Sequence, residues 1–347
     1  MSLEVSKNDA VVIGRILETN VKYDPKITNR FDDTIKGAYT TAEFKNPMFK
    51  VAMEREIDGK KVTATVKVAM DDIFKIWKAK DGRTGDISTF GEIEKILNSP
   101  NGGKGLLVKF SGAFNENKRA TKDLTIFREN EFKAQYIALS NLDESKQKAE
   151  GRITGIIGGL SEETVNDSKT GRLIVNLYKI NYVNKDGVPY VDMMNLIVPS
   201  EIAEAFLNLD LEIGDSVWLD VEIKNVQHGT VKKNDNSRGG FGNREAETTS
   251  GYVATEFHIF NGDRLPSSDK NYIDSDELET LKHSYQITCE NMIQKKKEKL
   301  EGNTSSSDGS STAPISGRTF EADANDPFSN ENGFLNTDDV NPFMPFA

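Results

Sequence analysis

The chain has few of the residues that build disulfides or metal centres. A single cysteine, Cys289, excludes an internal disulfide framework. The three histidines, His228, His258 and His283, are scattered and do not form the ligand cluster that zinc requires. We therefore predict that the protein uses no metal and no cofactor.

Long apolar runs are also missing. No stretch approaches the roughly 18 consecutive apolar residues of a membrane span, and the first residues, MSLEVSKNDA, lack the apolar core of a signal peptide. The sequence also contains no GxxxxGK[ST] phosphate loop, no HExxH and no GxSxG elbow. We expect a cytoplasmic protein that is not an enzyme and has no membrane partner.

The negative charge is concentrated at one end. Residues 301–347 carry eight acids and one base, Arg318, so their net charge of −7 leaves only −4 of the chain's −11 for the rest. The run NTSSSDGSSTAP is too poor in apolar residues to fold, and phenylalanines then alternate with acids up to DDVNPFMPFA. We predict a disordered linker and an acidic tail over 301–347 that binds partners.

Before the tail, alternating apolar residues and turn signals predict mainly β structure. Strands are expected at AVVIGRILETN and on both sides of Asp58-Gly59, a two-residue hairpin signal. The segment MDDIFKIWKA then resembles a short helix, and more strands follow from GLLVKF onward. The predicted order is strand, hairpin, helix, hairpin.

The same order recurs about 130 to 140 residues later. EGRITGIIGGL echoes IGRILETN, and the stretch around VNKDGVPY repeats the hairpin and the helix after it. Five strands with a helix between the third and fourth describe the OB-fold, a small barrel, although a β-sandwich would show similar alternation. We predict tandem OB-fold-like barrels over 1–145 and 146–268, a C-terminal helix over 269–300, and the tail.

OB-folds bind oligonucleotides through the face of their second and third strands and through two loops. The first copy's early loop interleaves basic and aromatic residues, as a single strand requires, although the aromatic side chains could instead pin the loop to the barrel. Its late turn is also basic. The candidates here are Lys22, Tyr23, Arg30, Phe31, Tyr39, Lys45, Lys118 and Arg119.

In the second copy the late loop, VKKNDNSRGGFGNRE, is basic, rich in glycine and carries one phenylalanine. Strand tyrosines could provide stacking platforms or could point inward, and the sequence leaves this open. The apolar surroundings of Trp77 and Trp218 predict that both are core residues. The candidates here are Tyr178, Tyr182, Lys232, Lys233, Arg238, Phe241 and Arg244.

Residues 275–300 show helical periodicity. Ser275 is a plausible N-cap, and Leu278, Leu281, Tyr285 and Cys289 follow at three- and four-residue spacing to form an apolar stripe. We expect the stripe to pack on the second barrel; self-association into a homo-oligomer is the alternative.

Tandem OB-like units followed by a linker and an acidic tip resemble the single-stranded-DNA-binding proteins of bacterial and bacteriophage replication. The tip of that family ends in aspartates followed by Pro-Phe, and this chain departs from it in ending at Ala347. The resemblance implies binding of single-stranded DNA and recruitment of polymerase, helicase, primase or nuclease during replication, recombination and repair. Two units in one chain favour a phage-encoded relative. The matching tail residues are Asp338, Asp339, Pro342, Phe343, Pro345 and Phe346.

Two other classes remain open. The tripeptides NPF and DPF also occur as ligands in endocytic interaction proteins, and a phage structural or scaffolding protein could carry duplicated β units. Oligonucleotide binding by the purified protein distinguishes these classes from the first.

Overall fold

The computed structural model describes residues 3–32, 37–57, 60–79, 81–139, 146–165, 168–232 and 248–303. The chain forms two compact units, of which the first comprises Met1–Lys224 and Glu256–Lys297 and the second Asn225–Thr255 and Glu298–Ala347. Most of the predicted tail lies outside the described residues, so its disorder and the domain boundaries stay predictions.

Strands make up most of the described elements, and helices separate groups of them. Those of the first half are β1 Asn8–Thr19, β2 Lys26–Asp32, β3 Gly37–Phe44, β4 Met48–Ile57, β5 Lys60–Met70, β6 Ile73–Phe74, β7 Ile76–Lys78, β8 Thr84–Asp86, α1 Ser88–Asn98, β9 Leu107–Ala120 and β10 Ile126–Leu139. Those of the second half are β11 Lys148–Val165, β12 Ser168–Val183, β13 Pro189–Val198, α2 Ser200–Leu207, β14 Ser216–Lys232, β15 Thr248–Arg264 and α3 Leu278–Asn303.

The first half closes into a five-stranded barrel. β1 pairs with β4 and β9, β4 pairs with β5, and β10 pairs with β9. The parallel pairing of β5 with β10 completes the ring. Alternate residues point inward, as the two-residue period of a strand requires, and Phe49, Val51, Val66 and Val68 are buried there.

The second half repeats this arrangement. β11 pairs with β12 and β14, β12 pairs with β13, and β14 neighbours β15. A parallel contact between Ile197 and His258 joins β13 to β15. In each ring the helix follows the third strand, so the prediction of tandem OB-fold barrels is confirmed.

One pair of strands, β1 and β11, joins the two barrels in a continuous sheet. β1 runs antiparallel to β11 from Asn8↔Ile153 to Ile13↔Lys148. Ala10 lies opposite Gly151, and a Cβ atom on Gly151 would come within 2.5 Å of the Ala10 Cβ. Glycine therefore permits the close approach of the two strands that join the barrels.

Both predicted Asp-Gly hairpins occur. β4 and β5 pair up to Ile57↔Lys60, and the connecting residues 58 and 59 lie outside the described residues. In the second barrel Gly187 has a φ of 79°, which glycine adopts without steric cost. The backbone N–H of Asn184 donates a hydrogen bond to the carbonyl oxygen of Val188 at 3.0 Å across the turn.

The helix predicted over MDDIFKIWKA is wrong. This segment forms the short strands β6 and β7, because Ile73 and Phe74 pair with β3 and β7 pairs with β8. The helix of the first barrel lies later, at α1, where Phe90, Ile93 and Ile96 form a buried stripe.

The C-terminal helix is confirmed, and it packs as expected. Leu278, Leu281 and Tyr285 of α3 share a buried cluster with Ile180 and Val191 of the second barrel. The apolar stripe is thus covered within the chain.

Candidate nucleic-acid interface

The early loop of the first barrel is an ordered arm. β2 and β3 form an antiparallel hairpin from Lys26↔Glu43 to Asp32↔Gly37. β3 also pairs with β6, which brings the segment after the third barrel strand alongside the hairpin. We call β2, β3 and the β7–β8 hairpin the first-barrel arm.

Aromatic rings and cations meet on this arm. The Lys78 Nζ lies 5.1 Å from the centroid of the Tyr39 ring, and the Tyr39 hydroxyl donates to Ile76 O at 3.4 Å. Trp77 lies opposite Gly85, where a Cβ atom would come within 2.6 Å of the indole Nε1. The indole therefore rests against the glycine, and 42% of Trp77 stays exposed. Such a surface can stack a base beside a phosphate-binding cation.

Three more predicted residues lie at the base of the arm. Lys22 and Tyr23 follow β1 and are exposed, Tyr23 to 60%. A cavity of about 320 Å³ lies beside Tyr23, with Val21, Leu97 and Lys104 in its lining. Lys45 is exposed, and its ammonium lies 3.7 Å from Glu43.

Of the remaining predicted residues of the first barrel, the structure describes the side chain of Arg119 but not those of Arg30 and Phe31. Arg30 and Phe31 lie on β2, but their side chains lie outside the described part of the chain. Arg119 is exposed, and its guanidinium lies 4.8 Å from the centroid of the Phe127 ring across the β9–β10 hairpin. Arg119 thus presents a cation on an aromatic ring at the barrel's late turn.

The outer face of the second and third barrel strands carries two lysines. Lys50 of β4 lies directly opposite Lys67 of β5, and the inward neighbours Val51, Val66 and Val68 fix both lysines on the outer side. These two lysines lie on the strand face through which OB-folds bind oligonucleotides.

Lys118 is not on the predicted surface, and this is a correction. Only 3% of its side chain is exposed, and its ammonium lies 3.1 Å from Glu116 and 3.0 Å from Asp192. The Lys179 ammonium also forms an ion pair with Asp192, with its Nζ atom 3.1 Å from Oδ2. We call Glu116, Lys118, Lys179 and Asp192 the junction cluster, because it joins β9 of the first barrel to β12 and β13 of the second.

Pairing stabilises the charged forms of Asp192 and Lys118 in the junction cluster. Burial alone would raise the pKa of Asp192, but the ammonium groups of Lys179 and Lys118 outweigh burial and hold it below its ordinary value. Burial would lower the pKa of Lys118, but Asp192 and Glu116 raise it above its ordinary value. The Lys118 ammonium is therefore committed to two carboxylates and is not available to a phosphate.

The two strand tyrosines differ in exposure. Tyr178 is half-buried, with its ring 5.9 Å from that of Tyr285 at an interplanar angle of 88°. Tyr182 is 52% exposed and stacks on Tyr190 at 5.1 Å and 11°. Of the two, Tyr182 offers an open ring face.

The late loop of the second copy falls largely outside the described residues. Lys232 ends β14, but its side chain lies beyond the described part. The other predicted residues, which also lie outside the described ranges, are Lys233, Arg238, Phe241, Arg244, Asp338, Asp339, Pro342, Phe343, Pro345 and Phe346.

Sequence reasoning missed the β7–β8 hairpin and misplaced its tryptophan. Trp77 is exposed, so the prediction that it is a core residue is wrong; Trp218 is half-buried, with the Arg152 guanidinium 4.1 Å from its ring centroid. The signal was present in IWKAKDGRTGD, which interleaves a ring and bases around a turn. The helix predicted over MDDIFKIWKA obscures this signal.

The described ranges contain no group of three or more His, Cys, Asp or Glu residues that could hold a metal ion. None of the helices described has the length and apolarity needed to cross a membrane.

Comparisons with known proteins identify one family. A family model described as YorF matches residues 48–299. No curated protein matches the chain. The wild-type single-stranded DNA binding protein from Thermus aquaticus is similar over 77% of this chain and 96% of its own, at 12% identity and a TM-score of 0.40. A deletion mutant of that protein is similar over 76% and 99%, at 13% identity and a TM-score of 0.39.

Proposed function

We propose that this chain, which belongs to the YorF family, binds single-stranded DNA with little sequence preference and recruits other proteins through its acidic tail. The observation that carries the proposal is the first-barrel arm. There the Lys78 ammonium lies over the Tyr39 ring, and Trp77 of the same hairpin is partly exposed, beside a closed OB-fold barrel.

The chemistry of the arm favours a single strand over a duplex. Unpaired bases expose their ring faces, and each base stacked on an aromatic side chain contributes about 1–3 kcal/mol. A duplex keeps its bases stacked and offers the arm only phosphates. Any base can stack on an aromatic ring, so the affinity should depend little on the base sequence of the strand.

Charge completes the binding surface. Lys22, Lys45, Lys78 and Arg119 lie at the arm and the late turn, while Lys50 and Lys67 lie on the outer face of β4 and β5. These cations can follow a phosphate backbone between successive stacked bases. The loop with Arg238 and Phe241 is the proposed second contact.

The tail supplies the proposed recruitment. Proline favours an extended chain, the phenylalanines can fill an apolar pocket, and Asp338 and Asp339 can pair with basic residues at its rim. We propose replication, recombination and repair proteins as the partners, in a bacterial or phage-infected cell.

The test is a titration of labelled oligo-dT, a duplex of equal length and an RNA of equal length, each at several salt concentrations. We expect tight, salt-sensitive binding of oligo-dT and weak binding of the duplex. The slope of log K against log salt, divided by about 0.7 per phosphate, counts the contacts. Equal affinity for the duplex, or no binding, would refute the proposal and favour a structural protein.

A further inference from the structure

We infer that α3 closes the strand-binding face of the second barrel, so that a bound single strand lies across the corresponding face of the first barrel and not across this one. This inference rests on the proposed function. It assigns unequal roles to two barrels that have the same topology.

The corresponding faces of the two barrels differ in chemistry. In the first barrel the outward positions of the second and third strands are mostly polar: Lys50, Glu54, Thr63, Thr65 and Lys67. In the second barrel the outward positions near the β12–β13 turn are apolar: Tyr178, Ile180, Val191 and Met193. An apolar face of this kind requires a cover in water.

Helix α3 provides that cover. Leu281 is 0% exposed and Leu278 is 6% exposed, and both lie in one cluster with Ile180 and Val191, which are exposed to 1% and 0%. The Tyr285 ring packs edge-on against Tyr178. Tyr285 thus stands where a base would have to stack on Tyr178.

Polar contacts fix the helix in this position. The Tyr285 hydroxyl donates to Glu116 Oε1 at 2.5 Å, and the Ser284 hydroxyl donates to Pro189 O at 2.5 Å. Burial raises the pKa of Tyr285 above its ordinary value, so the hydroxyl keeps the proton that it donates. The Lys118 ammonium lies 4.8 Å from the centroid of the same ring.

The first barrel closes the neighbouring edge. The Met193 amide donates to Glu116 Oε2 at 3.1 Å, and the Glu116 amide donates to Asp192 Oδ2 at 3.3 Å. The β9 strand therefore packs along β13 at Asp192 and Met193, whereas β15 pairs with β13 at Ile197. Of the predicted strand tyrosines only Tyr182, beyond the bulge in β12, keeps an exposed face.

Hydrogen exchange of the full chain with and without oligo-dT tests the inference. We expect added protection in β3, β4, β5 and the β7–β8 hairpin, and unchanged slow exchange in α3 from 278 to 289 and in β12 from 173 to 180. Faster exchange in α3 on binding would show that the helix leaves the face, and the inference would be overturned.

A pair of variants tests it independently. Trp77→Leu should weaken oligo-dT binding by about fivefold or more, the loss expected for one stacked base, whereas Tyr178→Leu should leave the affinity within about twofold. Equal losses in the two variants would overturn the inference. If the intact protein does not bind oligo-dT at all, it is the proposed function that fails.

Discussion

The Nζ atom of Lys118 lies 3.0 Å from a carboxylate oxygen of Asp192, a residue 74 positions later in the chain and in the other barrel. Lys118 also contacts Glu116 at 3.1 Å, so one ammonium serves two buried carboxylates. Removing one member of such a group leaves uncompensated buried charge. The junction cluster therefore makes the stability of one barrel depend on the other.

Replacing Lys118 should destabilise the protein strongly. Lys118→Met leaves Glu116 and Asp192 buried without this cation, and we expect the free energy of unfolding to fall by about 3–5 kcal/mol. Chemical denaturation measures the change. The control is Lys122→Met, an exposed lysine at the same hairpin, which should change stability by less than about 0.5 kcal/mol. Similar losses in both variants would contradict the role of the cluster.

The stability of the protein should fall in acid through Asp192. Its pKa in the folded protein is below its ordinary value, so its stabilisation is present above the unfolded pKa of about 3.9 and is lost as the pH falls through the lower folded value. Asp192→Asn should be less stable at neutral pH and show a shallower acid loss. Asp186→Asn, in the exposed β12–β13 turn, should keep the wild-type profile. Parallel profiles for wild type and Asp192→Asn would contradict this.

Tryptophan fluorescence should report binding, because the chain has only two tryptophans. Oligo-dT should quench Trp77 on the exposed arm and leave Trp218, beside Arg152, nearly unchanged. We expect Trp218→Phe to retain the quenching and Trp77→Phe to lose it. Quenching that disappears with Trp218 would move the site to the other barrel.

The late loop of the second copy should contribute stacking and charge. Phe241→Ala should cost about 1–3 kcal/mol of binding free energy if a base stacks there. Arg238→Ala should lower the salt slope by about 0.7, which corresponds to one phosphate contact. Titration of oligo-dT at several salt concentrations measures both effects. Wild-type behaviour of both variants would remove this loop from the site.

The acidic tail should compete with DNA for the basic surface. Deleting residues 320–347 removes six acids and no bases, so affinity for oligo-dT should rise, most at low salt where screening is weak. The same deletion should abolish the pull-down of replication proteins, because Phe343 and Phe346 are lost. Unchanged affinity together with unchanged pull-down would leave the tail a solubilising segment.

Local patterns in the sequence were sufficient for the barrels and for α3. Alternation with a period of two predicts strands without saying which face points inward, whereas the 3.6-residue repeat of a helix predicts that Leu278 and Leu281 are buried. The duplication strengthened the assignment, since two copies of one pattern predict one fold twice. The Asp-Gly pairs marked the hairpins because glycine tolerates a positive φ.

Partners distant in sequence decided the rest. Lys118 is the first residue of KRATK, which is a basic turn by composition, and only the packing of β9 against β13 buries it beside Asp192. The apolar neighbours of Trp77 predict a core position, but the pairing of β6 with β3 and of β7 with β8 leaves its ring exposed. The face of the second barrel is closed because α3, about 100 residues later, packs on Tyr178. A single sequence records which residues are apolar or charged; which of them meet across such separations is fixed by the tertiary fold.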